Sequence, residues 1–350
     1  MSRHSFRSLF ALPLAAVLVV AGTAVVSAQS IGANLQAVAS GILQQTTCTE
    51  YSYESQSTRQ SPGDAPCVFQ SAQGGPWTSV TDCSGWVSFA ISNMLDRSFP
   101  TVPQTAGQSC AAIIGGLQGF CSGLKAPTTS TPWLESLNTY RRAFSATEST
   151  VNWPRAFVFS ALASDLVYPP ADQARAEGAQ SASARFETVS YMRTAQAGDV
   201  VSWCRGGWCN GISGVGDTGH VMIIDAPPAG PDASYRCTGL PNLQSLPFAP
   251  PAGASVIGIP VIDSSGSHYP LVKASDGSPI YQAGRGFNGM QTGLGAGCIA
   301  VAITADGLSI AHAMGQDWTT TMNLGTPIGD VYSGTDPGKL VDYTTVLRMK

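Results

Sequence analysis

Apolar residues recur along this chain in two regimes, first at three- or four-residue spacing and later in short β-branched runs. Ile31 to Leu43 carries a short helical pattern. The stretch Thr46–Ser79 is polar and contains Pro and Gly. From Cys83 to Leu95 the apolar positions Val87, Ala90, Ile91, Met94 and Leu95 have the spacing of a buried helix face. Thr81 or Asp82 can cap that helix, which puts Cys83 in its first turn. Phe99–Arg193 reads as mostly helical or loop, with Trp133–Phe144 and Trp153–Val167 its most periodic pieces. Beyond Ala197 the character changes. "AGDVVSW", "GHVMIIDA", "ASVIGIPVID", "GCIAVAITADG" and "LSIAHAM" are short runs bounded by turn formers. Ala305-Asp306-Gly307 is a hairpin signal between the last two. The pattern predicts an α+β fold, helices first and an antiparallel sheet after.

The N-terminus adds a compartment. Arg3, His4 and Arg7 lead an uncharged apolar run from Leu9 to Val26, which ends in Val26-Ser27-Ala28. This is the form of a signal peptide over 1–28, cleaved before Gln29. The alternative, an uncleaved anchor, is opposed by Pro13 and Gly22 and by the small residues at the cleavage site. No later segment is apolar for long enough to span a bilayer. Without Arg3 and Arg7, sixteen basic residues face 22 acidic ones, a formal net charge of −6. That balance, with no Lys/Arg cluster, argues against nucleic acid as a partner. Residues 29–350 suffice for one large domain with a full core.

Nine cysteines in an exported chain are expected to pair, and an odd count leaves one thiol over. Short loops suggest Cys48 with Cys67, Cys110 with Cys121 and Cys204 with Cys209. Cys237 and Cys298 then pair by default, and Cys83 is the leftover. A zinc site at Cys204 and Cys209 lacks a second matching pair.

Position makes that leftover interesting. The dipole and unpaired amides of a helix N-terminus favour a thiolate, and the same amides can hold an oxyanion. A nucleophile also needs a base. His220 opens the strand "HVMII", where it shares a side with Met222 and Ile224 while Asp225 points the other way. If this strand pairs antiparallel with "SVIGIPVIDSS", Asp263 comes to lie next to His220, where a carboxylate can fix the imidazole. His268 in "SSGSHY" is the rival base, less firmly held in a Gly/Ser turn. His312 alternates with Ile310 and Met314, as a core or sheet-face residue does. Taken singly, His220 could cap a strand and Asp263 could start an Asx-turn; together with Cys83 they read as a catalytic set.

"DCSGWVSFAI", "AGDVVSW" and "TGHVMIID", in that order, resemble the signatures of the NlpC-type cell-wall cysteine peptidases. The resemblance implies a papain-like core with Cys83 as nucleophile, His220 as general base and a third member that Asp263 matches. It implies that Asp82 and Ser84 help hold substrate. It implies hydrolysis of amide bonds in peptidoglycan stem peptides, by an exported, periplasmic or extracellular enzyme without metal or organic cofactor. The long separation of Cys83 from His220 makes Phe99–Arg193 (99–193) read as an inserted helical or loop subdomain within a single catalytic domain. Two other readings stay open. One keeps the triad on a different amide or in acyl transfer; the other is a non-catalytic, disulfide-stapled envelope protein. Oligomeric state is not readable from the chain.

Overall fold

The computed structural model describes residues 30–52, 66–95, 99–105, 107–121, 123–124, 131–144, 153–205, 219–228, 252–265, 292–305, 308–313, 318–320 and 342–350. The expected leader, His268, Cys209 and Cys237 lie outside the described residues.

Helix α1 (Ile31–Gln45) begins where the Ser30 hydroxyl accepts from the Ala33 amide at 3.2 Å. Its buried stripe of Leu35, Val38, Ala39, Ile42 and Leu43 follows helical spacing. Three strands then form a small sheet: β1 (Thr46–Glu50), β2 (Cys67–Gln70) and β3 (Trp77–Val80). Their order is β1-β3-β2, with β1 parallel and β2 antiparallel to β3. Helix α2 (Cys83–Asn93) is buried at every residue, not on one face alone. Of its polar side chains, Ser92 and Asn93 donate back to the Ser88 and Phe89 carbonyls at 2.7 and 2.8 Å.

Two short helices, α3 (Cys110–Gly115) and α4 (Leu117–Cys121), are joined to the small sheet by disulfides Cys48–Cys110 and Cys67–Cys121. These pairings overturn the expected Cys48–Cys67 and Cys110–Cys121. Adjacent strands lie about 4.8 Å apart, so β3 between β1 and β2 holds Cys48 and Cys67 about 10 Å apart, beyond disulfide reach. Cys204 is also disulfide-bonded.

Helices α5 (Pro132–Arg141), α6 (Ala156–Asp165) and α7 (Gln173–Ala182) precede the main sheet. That sheet contains β4 (Phe186–Thr188), β5 (Val200–Arg205), β6 (His220–Ile224), β7 (Ser255–Ser265), β8 (Gly293–Ile303), β9 (Ser309–Ala313), β10 (Trp318–Thr320) and β11 (Asp342–Met349). The order is β10-β9-β8-β7-β6-β5-β11-β4, and every pairing is antiparallel. The sheet curls, since β9 and β11 touch across four intervening strands.

Strand alternation divides the core. One face presents Val221, Ile223, Ile262 and Leu294 to α1, α2, α5 and α6. The other gathers Val201, Trp203, Met222, Ile224, Ile259 and Val301. From the 99–193 segment, Leu137, Phe157 and Leu162 join the first cluster with Leu35 and Trp86. Helix α6 lies directly on the sheet, where its Ser160 hydroxyl donates to that of Ser202 at 3.0 Å. Among the described residues no helix is long and apolar enough to cross a membrane.

Candidate active site

Helix α2 starts at Cys83 because Asp82 caps it. The Asp82 backbone is extended, with φ −78° and ψ 177°. Its Oδ1 accepts from the Gly85 amide at 2.6 Å, the Ser84 hydroxyl at 3.0 Å and the Trp153 indole Nε1 at 3.3 Å. The amide of Trp86 returns to the Asp82 carbonyl at 3.1 Å. The cap therefore uses neither the Cys83 nor the Ser84 amide, which leaves both at the positive end of the helix. Gly85 is required here: a Cβ would overlap Thr81 Oγ1 and press on the Trp153 ring. The polar atoms of Asp82 and Ser84 are thus engaged with each other in the turn that carries Cys83.

The cap segment is fixed from outside the helix as well. Thr81 donates its amide to the Glu50 carbonyl of β1 at 3.3 Å, and its own carbonyl accepts from the Ser264 hydroxyl of β7 at 2.7 Å. Ser264 follows Asp263, so the same strand end touches the segment leading into α2 and carries the carboxylate. Cys83 is buried, and it is the free cysteine among the described residues.

His220 opens β6 beside Trp203 of β5, their rings 5.4 Å apart. Gly219 makes this entry possible with φ +79°, since a Cβ there would run into the Trp203 carbonyl. Ile223 pairs with Ile262, and continuing that antiparallel register sets Asp263 opposite Met222, diagonal to His220 and on the same face. The diagonal is closed by His220 Nε2 and Asp263 Oδ2 at 2.6 Å. Asp263 is fully buried and His220 nearly so. A carboxylate can only accept, so the hydrogen between them sits on Nε2, and in the neutral ring the lone pair is on Nδ1. Asp225 projects away and accepts from Gln36 of α1 at 2.9 Å.

Burial pushes the Asp82 carboxyl above its ordinary range. The Gly85 amide, the Ser84 hydroxyl and the Trp153 indole pull it back, and so does a charge on His220. The helix start and the His220 ring therefore lie within electrostatic reach of each other.

The structure brings Asp82, Cys83 and Ser84 into one turn and joins His220 to Asp263; strand alternation sets that pair on the Met222 face of the sheet while Cys83 packs with the Val221 face, and what relates the two groups is the charge of His220 acting on Asp82. It does not bring His312 to them. His312 lies in β9, three strands from β6, about 14 Å along the sheet. Two tryptophans of the site were read only as members of longer runs, with no role of their own. Trp203 stands inside "AGDVVSW", and Trp153 lies 71 residues from Asp82. Among the described residues no group of three His, Cys, Asp or Glu side chains could hold a metal ion. Comparison with protein-family models, with curated proteins and with solved structures returned no match. The fold and the site together define an α+β protein with a buried free cysteine at a capped helix start and a histidine–aspartate pair on the sheet.

Proposed function

We propose that the chain is an exported cysteine hydrolase with a papain-like, NlpC-like core, and that it cleaves an amide bond, with peptidoglycan stem peptides the leading substrate. The observation that carries this reading is the 2.6 Å His220–Asp263 hydrogen bond, whose partners share a protein with a free thiol at the first residue of a capped helix. With Nε2 bound to Asp263, Nδ1 of His220 is the basic atom. It takes the Cys83 thiol proton, and the sulfur attacks the amide carbonyl. The oxygen of the tetrahedral intermediate is held by the amides of Cys83 and Ser84. As the C–N bond breaks, the imidazolium returns the proton to the departing amine. Water, deprotonated by His220, then cleaves the thioester and restores the thiol. The Cys48–Cys110 and Cys67–Cys121 disulfides fit an oxidising compartment.

The test is digestion of purified muropeptides followed by mass spectrometry. Cleaved stem peptides are expected with the wild type, and Cys83→Ala is expected to lose at least about a thousandfold in rate. Full activity in Cys83→Ala or in His220→Ala would remove the assignment.

A further inference from the structure

Two of the three donors on Asp82 come from its own helical turn, and the third arrives from far along the chain. Trp153, 2 % exposed, stands just before α6. Its Nε1 donates to Asp82 Oδ1, and its ring edge lies 3.0 Å from where a Gly85 Cβ would be. One side chain thus holds both the cap residue and the backbone one turn into α2. We propose that Trp153 is a positioning residue for Cys83, holding the Asp82 carboxylate so that its negative field at the thiol stays compensated. This rests on the cysteine-hydrolase reading and assigns the 99–193 segment a part in the reaction centre.

The physical argument is local. Asp82 adjoins Cys83, so an uncompensated carboxylate there opposes thiolate formation. Gly85 and Ser84 move with the helix and cannot by themselves fix the cap against the rest of the protein. Trp153 adds that restraint and a third dipole. The elements packed on α2 bring few other charges. β6 contributes His220, β7 contributes Asp263, and α1 has no ionisable residue. α5 carries Glu135 and Arg141, and it meets the far end of α2, where Thr131 Oγ1 donates to the Ile91 carbonyl.

The experiment is alkylation of Cys83 by iodoacetamide across pH, on the oxidised full chain. Trp153→Phe keeps the ring and loses the N–H. It is expected to slow alkylation at neutral pH by about three- to tenfold and to move the pH midpoint upward. Trp153→His, which can still donate, should recover part of that shift and serves if the Phe variant does not fold. In an Asp82→Asn background the Phe substitution should leave the midpoint unmoved, since the charge it governs is gone. A wild-type rate and midpoint in Trp153→Phe, or the same shift in the Asn background, would overturn the proposal. The underlying reading fails separately: His220→Ala would then leave the alkylation profile of the wild-type Trp153 protein unchanged.

Discussion

Two buried carboxylates in this molecule are satisfied in different ways. Asp165, at the end of α6, accepts from the Tyr140 hydroxyl at 2.5 Å and is held by Arg175 at 2.9 to 3.1 Å, with the guanidinium over the Phe144 ring. Asp82 is as deeply buried, but its hydrogen-bond donors are all neutral. Burial pushes both carboxyls upward, and Asp165 alone has a cation in contact to oppose it. The first arrangement ties α5, α6 and α7 into one layer. The second keeps a carboxyl with no cation in contact in the turn that carries a thiol and within electrostatic reach of a histidine. Such a carboxylate costs folding free energy that a purely structural cap would not need.

The sharpest way to break this contrast is Asp165→Ala. It strands a half-buried guanidinium and the buried Tyr140 hydroxyl, so a loss of about 3–5 kcal/mol is expected in urea unfolding. Cys83 alkylation in the native state should stay as in the wild type. A loss under about 1 kcal/mol would make the two carboxylates alike. Asp82→Ala removes a cap with neutral partners and is expected to cost about 1–2 kcal/mol. Unlike Asp165→Ala, it should change the alkylation rate of Cys83, measured on the same samples.

The smallest effect is the pH dependence of Asp82 itself. Its folded-state value is raised above the ordinary value of an aspartate by burial. Its contribution to stability is therefore fully present below that unfolded value and is lost as pH rises through the folded one. Compared with Asp82→Asn, the wild type should lose ground between acid and neutral pH. Urea midpoints of the two proteins over that range check the sign, and a gap moving the other way would contradict burial as the dominant cause.

Much of the local structure was legible because its causes are local. Helix α2 followed from Val87, Ala90 and Ile91 and from a cap at Asp82. The strands β5 to β9 followed from β-branched runs between turn formers, and antiparallel pairing of β6 with β7 was enough to set Asp263 beside His220. β1 to β3 were missed because strands of four or five residues such as "TTCTE" and "WTSV" hold no full period of apolar alternation. β11 was missed too, although "DYTTVLRM" lies between β4 and β5 within the sheet. It enters there only because the C-terminus folds back across the protein. The wrong cysteine partners came from favouring short loops: strand order keeps Cys48 from Cys67, and each then pairs with a helix cysteine, which takes up Cys110 and Cys121.

The sequence by itself determined the elements around Cys83, the side of β6 that His220 occupies and the odd thiol, since spacing, alternation and counting need no partner segment. Only the tertiary structure decided that Cys48 reaches Cys110, that Trp153 donates to Asp82, and that Ser264 ties β7 to the loop before Cys83. Those contacts join residues 62, 71 and 183 positions apart. No local propensity encodes them, because they arise where buried polar groups and thiols find partners as separate layers close on one core.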